Sequence, residues 1–238
     1  MSTISIVKHF ACASLITWLC LGCATRADAG APGPAGPPTE AEAPIVRVNR
    51  EVGGHCTGFV IDARTVLTAA HCMWLKRPRN WIRPTSLHIL VGYDRGDFRQ
   101  HIRVSGYRVG PGYDPKDPTG RPPTSADWAI LDLAEPFRGA PLPLAVARPA
   151  PGDVLAVTGY DAKRGHRLTR SVDCRVSKVG RAMFAHGCPA GHGHSGSPVF
   201  GHVGDRRAAF GLHVAIGGGQ GFAILATSID RDKAVRPY

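Results

Sequence analysis

Apolar positions along most of the chain come in short runs, broken every few residues by Gly, Pro and Asp. Runs rich in Val, Ile, Leu, Thr and Phe predict strands at 56–61, 65–69, 87–91, 102–109 and 129–133. The same pattern predicts strands at 154–159, 171–179, 197–200, 208–215 and 222–228. No long stretch shows the three-and-four spacing of an amphipathic helix; a short turn after His71 is the one candidate. Many short strands with turns between them predict an all-β sandwich or closed barrel, and the pattern alone does not choose between these.

The first 44 residues break the pattern. Residues 1–8 carry one positive charge, residues 10–22 are apolar and uncharged, and Ala27-Asp28-Ala29 offers a small-x-small cleavage site. These features predict a secretory signal peptide over 1–29. The apolar run of 13 residues is short for a spanning helix, which needs about 20, so no spanning membrane segment is expected; a buried N-terminal helix is the competing reading. Leu21-Gly22-Cys23 resembles the end of a bacterial lipoprotein signal, which would put a lipid anchor on Cys23, although Cys20 stands where Leu is usual. Residues 30–44, GAPGPAGPPTEAEAP, predict a flexible leader outside the fold. One folded unit over 45–238 follows, a length sufficient for a full core.

Cysteine usage agrees with export. Cys12, Cys20 and Cys23 fall in the signal segment, leaving Cys56, Cys72, Cys174 and Cys188. An oxidising compartment, secreted or periplasmic, allows these four to pair, and of three connectivities the adjacent ones close short loops and are expected. The alternative is a structural zinc site, but neither pair has the short spacing that zinc favours. The net charge is +11, with Lys and Arg spread along the chain and not gathered in a block. A generally basic surface is the reading, with no nucleic-acid module in view.

Three segments narrow the fold. Thr68-Ala69-Ala70-His71-Cys72 follows a predicted strand, Asp127-Trp128-Ala129-Ile130-Leu131 opens one, and Gly193-His194-Ser195-Gly196-Ser197-Pro198 precedes another. Together, and in this order, they resemble the His, Asp and Ser motifs of trypsin-like (chymotrypsin-fold) serine endopeptidases, closest to the bacterial glutamyl-endopeptidase branch. The resemblance spans roughly 45–229. It implies two six-stranded antiparallel β-barrels, a monomer acting on polypeptide substrates without a cofactor or metal, and a site in the cleft between the barrels. By resemblance His71, Asp127 and Ser195 are catalytic, and the amides of Gly193 and Ser195 form the oxyanion hole. A serine hydroxyl needs such a base to attack a carbonyl, and the base needs a carboxylate to hold its tautomer. Cys56–Cys72 matches the family's bridge beside the histidine, and Cys174–Cys188 resembles a second bridge in bacterial members. Taken singly, Ser195 reads equally as a turn serine, His71 as a core histidine and Asp127 as a turn residue; Asp132 is a rival acid inside the strand.

The sequence also departs from the family. His194 stands where animal digestive members have the Asp that receives a new N-terminal ammonium, and Ile45-Val46-Arg47-Val48 only faintly echoes their activated start. Pro189 occupies the position of trypsin's pocket Asp, which argues against preference for Lys or Arg. Pro189, Ala190 and His213 are the expected substrate-pocket residues. His213 resembles the histidine of glutamyl endopeptidases that contacts an acidic substrate side chain, while Ala190 replaces an expected hydroxyl residue. His186, Cys188, His192 and His194 lie within nine residues and raise a metal-binding alternative. A non-catalytic secreted binding protein on the same fold is the other alternative.

Overall fold

The structure is a computed structural model and describes residues 35–117, 125–164 and 166–238. The expected signal peptide, Cys23 and the first residues of the leader lie outside the described residues.

The first barrel is built from β1 (Ile45–Arg50), β2 (His55–Asp62), β3 (Thr65–Thr68), β4 (Leu87–Val91), β5 (Gln100–Val109) and β6 (Ala129–Leu133). All neighbours are antiparallel, and the barrel closes in the order β1-β2-β3-β6-β5-β4. The second uses β7 (Val154–Tyr160), β8 (Leu168–Val179), β9 (Met183–His186), β10 (Pro198–Val203), β11 (Arg206–Gly217) and β12 (Gln220–Leu225). Its order, β7-β8-β9-β12-β11-β10, repeats the first barrel strand for strand. The all-β, two-barrel expectation therefore holds.

Alternation explains how these sequences make barrel walls. In β4, Leu87, Ile89 and Val91 are buried while His88 and Leu90 are partly exposed. In β5 the buried set is Ile102 and Val104, then Tyr107 and Val109. That change of parity coincides with a register shift between Val104 and Gly106, where one extra residue flips the face that points inward. Leu212, Val214 and Ile224 of the second barrel join the first barrel's apolar cluster, so the core is continuous across the junction.

Two of the barrel strands escape the sequence reading. β1 buries all of residues 45–48, including Arg47, whose guanidinium lies 4.3 Å from the Tyr93 ring centroid. β9 is only four residues long and contains a histidine. The last predicted strand also stops earlier, at Leu225, and Ala226–Ser228 forms a 3-10 turn.

The segment expected to be a free leader is docked from Ala35 onward. Ala35 and Gly36 pair with Thr169 and Leu168 of β8. Glu42 is nearly buried and grips Arg170 through Nε and Nη2, each at 2.6 Å, while its Oε2 also accepts from the Thr39 amide and hydroxyl at 2.9 Å. Burial raises the Glu42 carboxyl, but the Arg170 and Thr39 hydrogen bonds outweigh it and leave the carboxyl below its ordinary value. A Pro/Gly/Ala composition without periodicity hid this, because the anchor is one carboxylate reaching an arginine 128 residues away.

Candidate active site

The cleft takes residues from both barrels. His71 lies in the 3-10 turn Ala70–Met73 that follows β3, and the Cys72–Cys56 disulfide ties that turn to β2. Asp127 precedes β6 and is 2% exposed. Its Oδ2 accepts from His71 Nδ1 at 2.7 Å, and its Oδ1 accepts from the His71 backbone amide at 2.8 Å. Both carboxylate oxygens thus hold the one residue. With the proton on Nδ1, the His71 Nε2 atom keeps its lone pair. The rival acid, Asp132, is engaged elsewhere, with Arg108 at 3.1 Å.

His71, Gly193 and Ser195 line the same cavity. The loop that carries Ser195 is shaped by two glycines with φ of 97° and 87°, Gly193 and Gly196. A Cβ on Gly193 would strike the Tyr160 carbonyl oxygen and His55 Nε2, and one on Gly196 would strike the Thr57 carbonyl oxygen. Hydrogen bonds then fix the peptide planes. The His192 carbonyl accepts from the Ala162 amide and the His194 carbonyl from the Ser197 amide, both at 2.8 Å. In a trans peptide the N–H points away from its C=O, so the Gly193 and Ser195 amides are turned from those anchors. Among the described residues neither amide has a protein acceptor. Thr57 braces the loop from the first barrel: its amide donates to the Ser195 carbonyl at 2.9 Å and its hydroxyl to the Gly193 carbonyl at 2.8 Å.

Beneath the loop, His194 is 1% exposed and bridges two elements. Its Nδ1 accepts from the Gly191 amide at 3.1 Å, which puts the ring proton on Nε2, 2.8 Å from the Thr169 hydroxyl. Thr169 in turn donates to the Gly159 carbonyl at 3.2 Å. Burial keeps the His194 pKa below its ordinary value, so the bridge is made by a neutral ring. The Cys174–Cys188 disulfide and a 2.7 Å hydrogen bond from the Ser171 hydroxyl to the Pro189 carbonyl hold the segment just upstream.

Pro189 and Ala190, both expected in the pocket, line a cavity of about 320 Å³ with Gly187, Ile216, Gly217 and Gln220. None of its lining residues is ionisable. His213 does not line it; it sits on β11 with 2% exposure, behind the nucleophile loop, where its carbonyl accepts from the Gly196 amide at 2.8 Å. The Cys188 amide donates to His186 Nδ1 at 3.2 Å, so His186 Nε2–H donates to His213 Nδ1, also at 3.2 Å. The remaining proton of His213 is therefore on Nε2. Burial pushes His186 down to about 4 and His213 well below its ordinary value, so both rings are neutral.

The His-rich segment does not converge as a ligand set. Cys188 is in a disulfide, and His186 and His194 each use both ring nitrogens in hydrogen bonds. Cys56, His71 and Cys72 do cluster, but both sulfurs are bonded to one another and offer no thiolate. Sequence reading missed Thr57 and Thr169, which carry no local motif because their partners are 136 and 25 residues away.

The trypsin-like peptidase domain family matches residues 56–205. A curated relative, the cercarial protease of Schistosoma mansoni, is 29% identical over 157 residues, covering 60% of this chain. The match spans 56% of that relative, so the chain covers about half its length. A solved structure of Glu endopeptidase in complex with MPD superimposes with a TM-score of 0.69, covering 83% of this chain and 92% of that one. Its 17% identity speaks to the fold alone. With the family match covering more than half of its residues, the chain belongs to the trypsin-like peptidase domain family.

Proposed function

We propose that this protein is an exported, monomeric serine endopeptidase in which Ser195, His71 and Asp127 act together. The observation that carries this reading is the double anchoring of His71 by the buried Asp127 beside Ser195 in one cleft. Ser195 Oγ attacks the scissile carbonyl while His71 Nε2 takes its proton, and Asp127 stabilises the imidazolium that results. The oxyanion accepts hydrogen bonds from the Gly193 and Ser195 amides, worth about 3–4 kcal/mol each. The imidazolium then protonates the leaving amine, and water activated by His71 hydrolyses the acyl-enzyme. Residues 1–29 are removed on export, and the peptidase domain begins with its docked segment from Ala35.

We assign the cavity lined by Pro189 and Ala190 to the residue before the scissile bond, and propose that it prefers Glu or Asp. It holds no carboxylate to attract Lys or Arg. The net charge of +11 supports the acidic choice. Cleavage-site profiling of the mature protein on a peptide library tests this, with Ser195→Ala as control. Cuts after Glu or Asp, absent from the variant, are expected. Cuts after Lys or Arg would contradict the pocket assignment.

A further inference from the structure

A second cavity, of about 570 Å³, contains His71, Gly193 and Ser195 and shares no lining residue with the Pro189–Ala190 cavity. On the endopeptidase reading, on which this inference rests, the acyl part of the substrate occupies the first cavity. The chain that leaves with the amine then occupies the second, past the Cys56–Cys72 disulfide that forms part of its wall.

The chemistry of that second cavity is one-sided. Arg50 and His55 enter it from the β1–β2 hairpin, Lys76 and Arg77 from the segment after the His71 turn, and His166 and His192 from loops of the second barrel. No Asp or Glu is among its lining residues. Arg50, Lys76 and Arg77 carry permanent charge, and among the described residues none of the three is in an ion pair. Asp127 is engaged with His71, and three further acids have partners of their own. Glu51 meets His88 Nε2 at 2.9 Å, Asp94 meets Arg167 at 2.8 Å, and the buried Asp161 accepts from the Lys163 amide at 2.7 Å. Like charges gathered in a cleft with no counter-charge attract whatever supplies one. Three extended residues span about 10 Å, enough to pass from Ser195 along such a wall.

We infer that the cleft selects polypeptides carrying Asp or Glu in the first three positions after the scissile bond. Arg50, Lys76 and Arg77 are the residues that determine this preference, with His166 and His192 as hydrogen-bond donors to the same carboxylates.

The test uses quenched fluorescent peptides identical up to the cleaved residue and differing only after it, as Asp/Glu, Ala or Lys series. Each exposed charge pair changes kcat/KM by between about 1.4- and 5-fold, so two acids should gain about 2- to 25-fold over two alanines. Lysines should lose by a similar factor. In 1 M NaCl, where screening acts within about 3 Å, the spread should fall to about 2-fold or less. The Lys76→Glu, Arg77→Glu double variant should invert the Asp/Glu-to-Lys ratio. The ratio is taken within one preparation, so a partly folded sample does not alter it. Peptides cleaved with a flat or Lys-favouring series, or an unchanged ratio in the double variant, overturn this inference and leave the endopeptidase reading standing. If no peptide of any series is cleaved, the endopeptidase reading falls and takes this one with it.

Discussion

His71, Asp127 and Ser195 are legible in the sequence because each sits inside a compact local motif, and the fold puts the first two in direct contact. His194 is the opposite case. Its neighbours in sequence show only that a zymogen carboxylate is missing, whereas its role depends on Thr169 and Gly191, which the fold brings to its two nitrogens. There a neutral ring ties the nucleophile loop to β8 through Thr169. His194→Ala should cost about 1–3 kcal/mol of stability by stranding a buried donor and a hydroxyl. It should also lower kcat by about tenfold or more through loosened oxyanion donors, while KM changes little. His194→Gln, which can accept from Gly191 and donate to Thr169, should recover much of both. Steady-state kinetics well below the melting temperature check this; a stability loss with unchanged kcat would show that the ring is only a core filler. His213 shows another limit of sequence reading: its strand position is plain, but the ring lies behind the pocket, hydrogen-bonded to His186, and not on the pocket wall.

At the scale of elements, most barrel strands announce themselves as Val- and Ile-rich runs between turns, and the chain order of the motifs carries over into the fold. The exceptions have physical causes. β1 hides because Arg47 interrupts its apolar run, and that arginine is accommodated by the Tyr93 ring. β9 hides because four residues ending in a histidine give no period to read, yet it closes the second barrel between β8 and β12. The leader hides because its order comes from Glu42 and Arg170 and from a two-residue pairing with β8. Register shifts also evade a pattern reading. In β5 the inward face changes midway, and only the pairing with β6 shows that one residue is looped out.

For the whole molecule, two barrels of identical strand order share a continuous core and present their junction as the cleft. Several histidines are buried and neutral, with His55 down at about 3 and His186 at about 4 against an ordinary 6.5. For His55 the main cause is burial, followed by Arg47 and His166. Above about pH 6.5 both the folded and unfolded forms of these groups are neutral, and the shifts cost nothing. As pH falls from there, the unfolded chain takes up protons that the folded one refuses. Stability should therefore decline between pH 6.5 and 4, by up to about 1.4 kcal/mol per pH unit for each such group. Thermal melts across that range check the sign, and a midpoint that rose on acidification would contradict it. The net charge of +11 includes Arg50, Lys76 and Arg77, which line the cavity of Ser195 and, among the described residues, are in no ion pair. The account as a whole depends on Ser195 being a working nucleophile. A fluorophosphonate probe on the folded mature protein, with the adduct located by peptide mass spectrometry, tests that most directly. One adduct, on Ser195, abolished in Ser195→Ala and nearly so in His71→Ala, is the expected result. A folded protein that takes no label would contradict the account and favour a binding protein built on the same barrels.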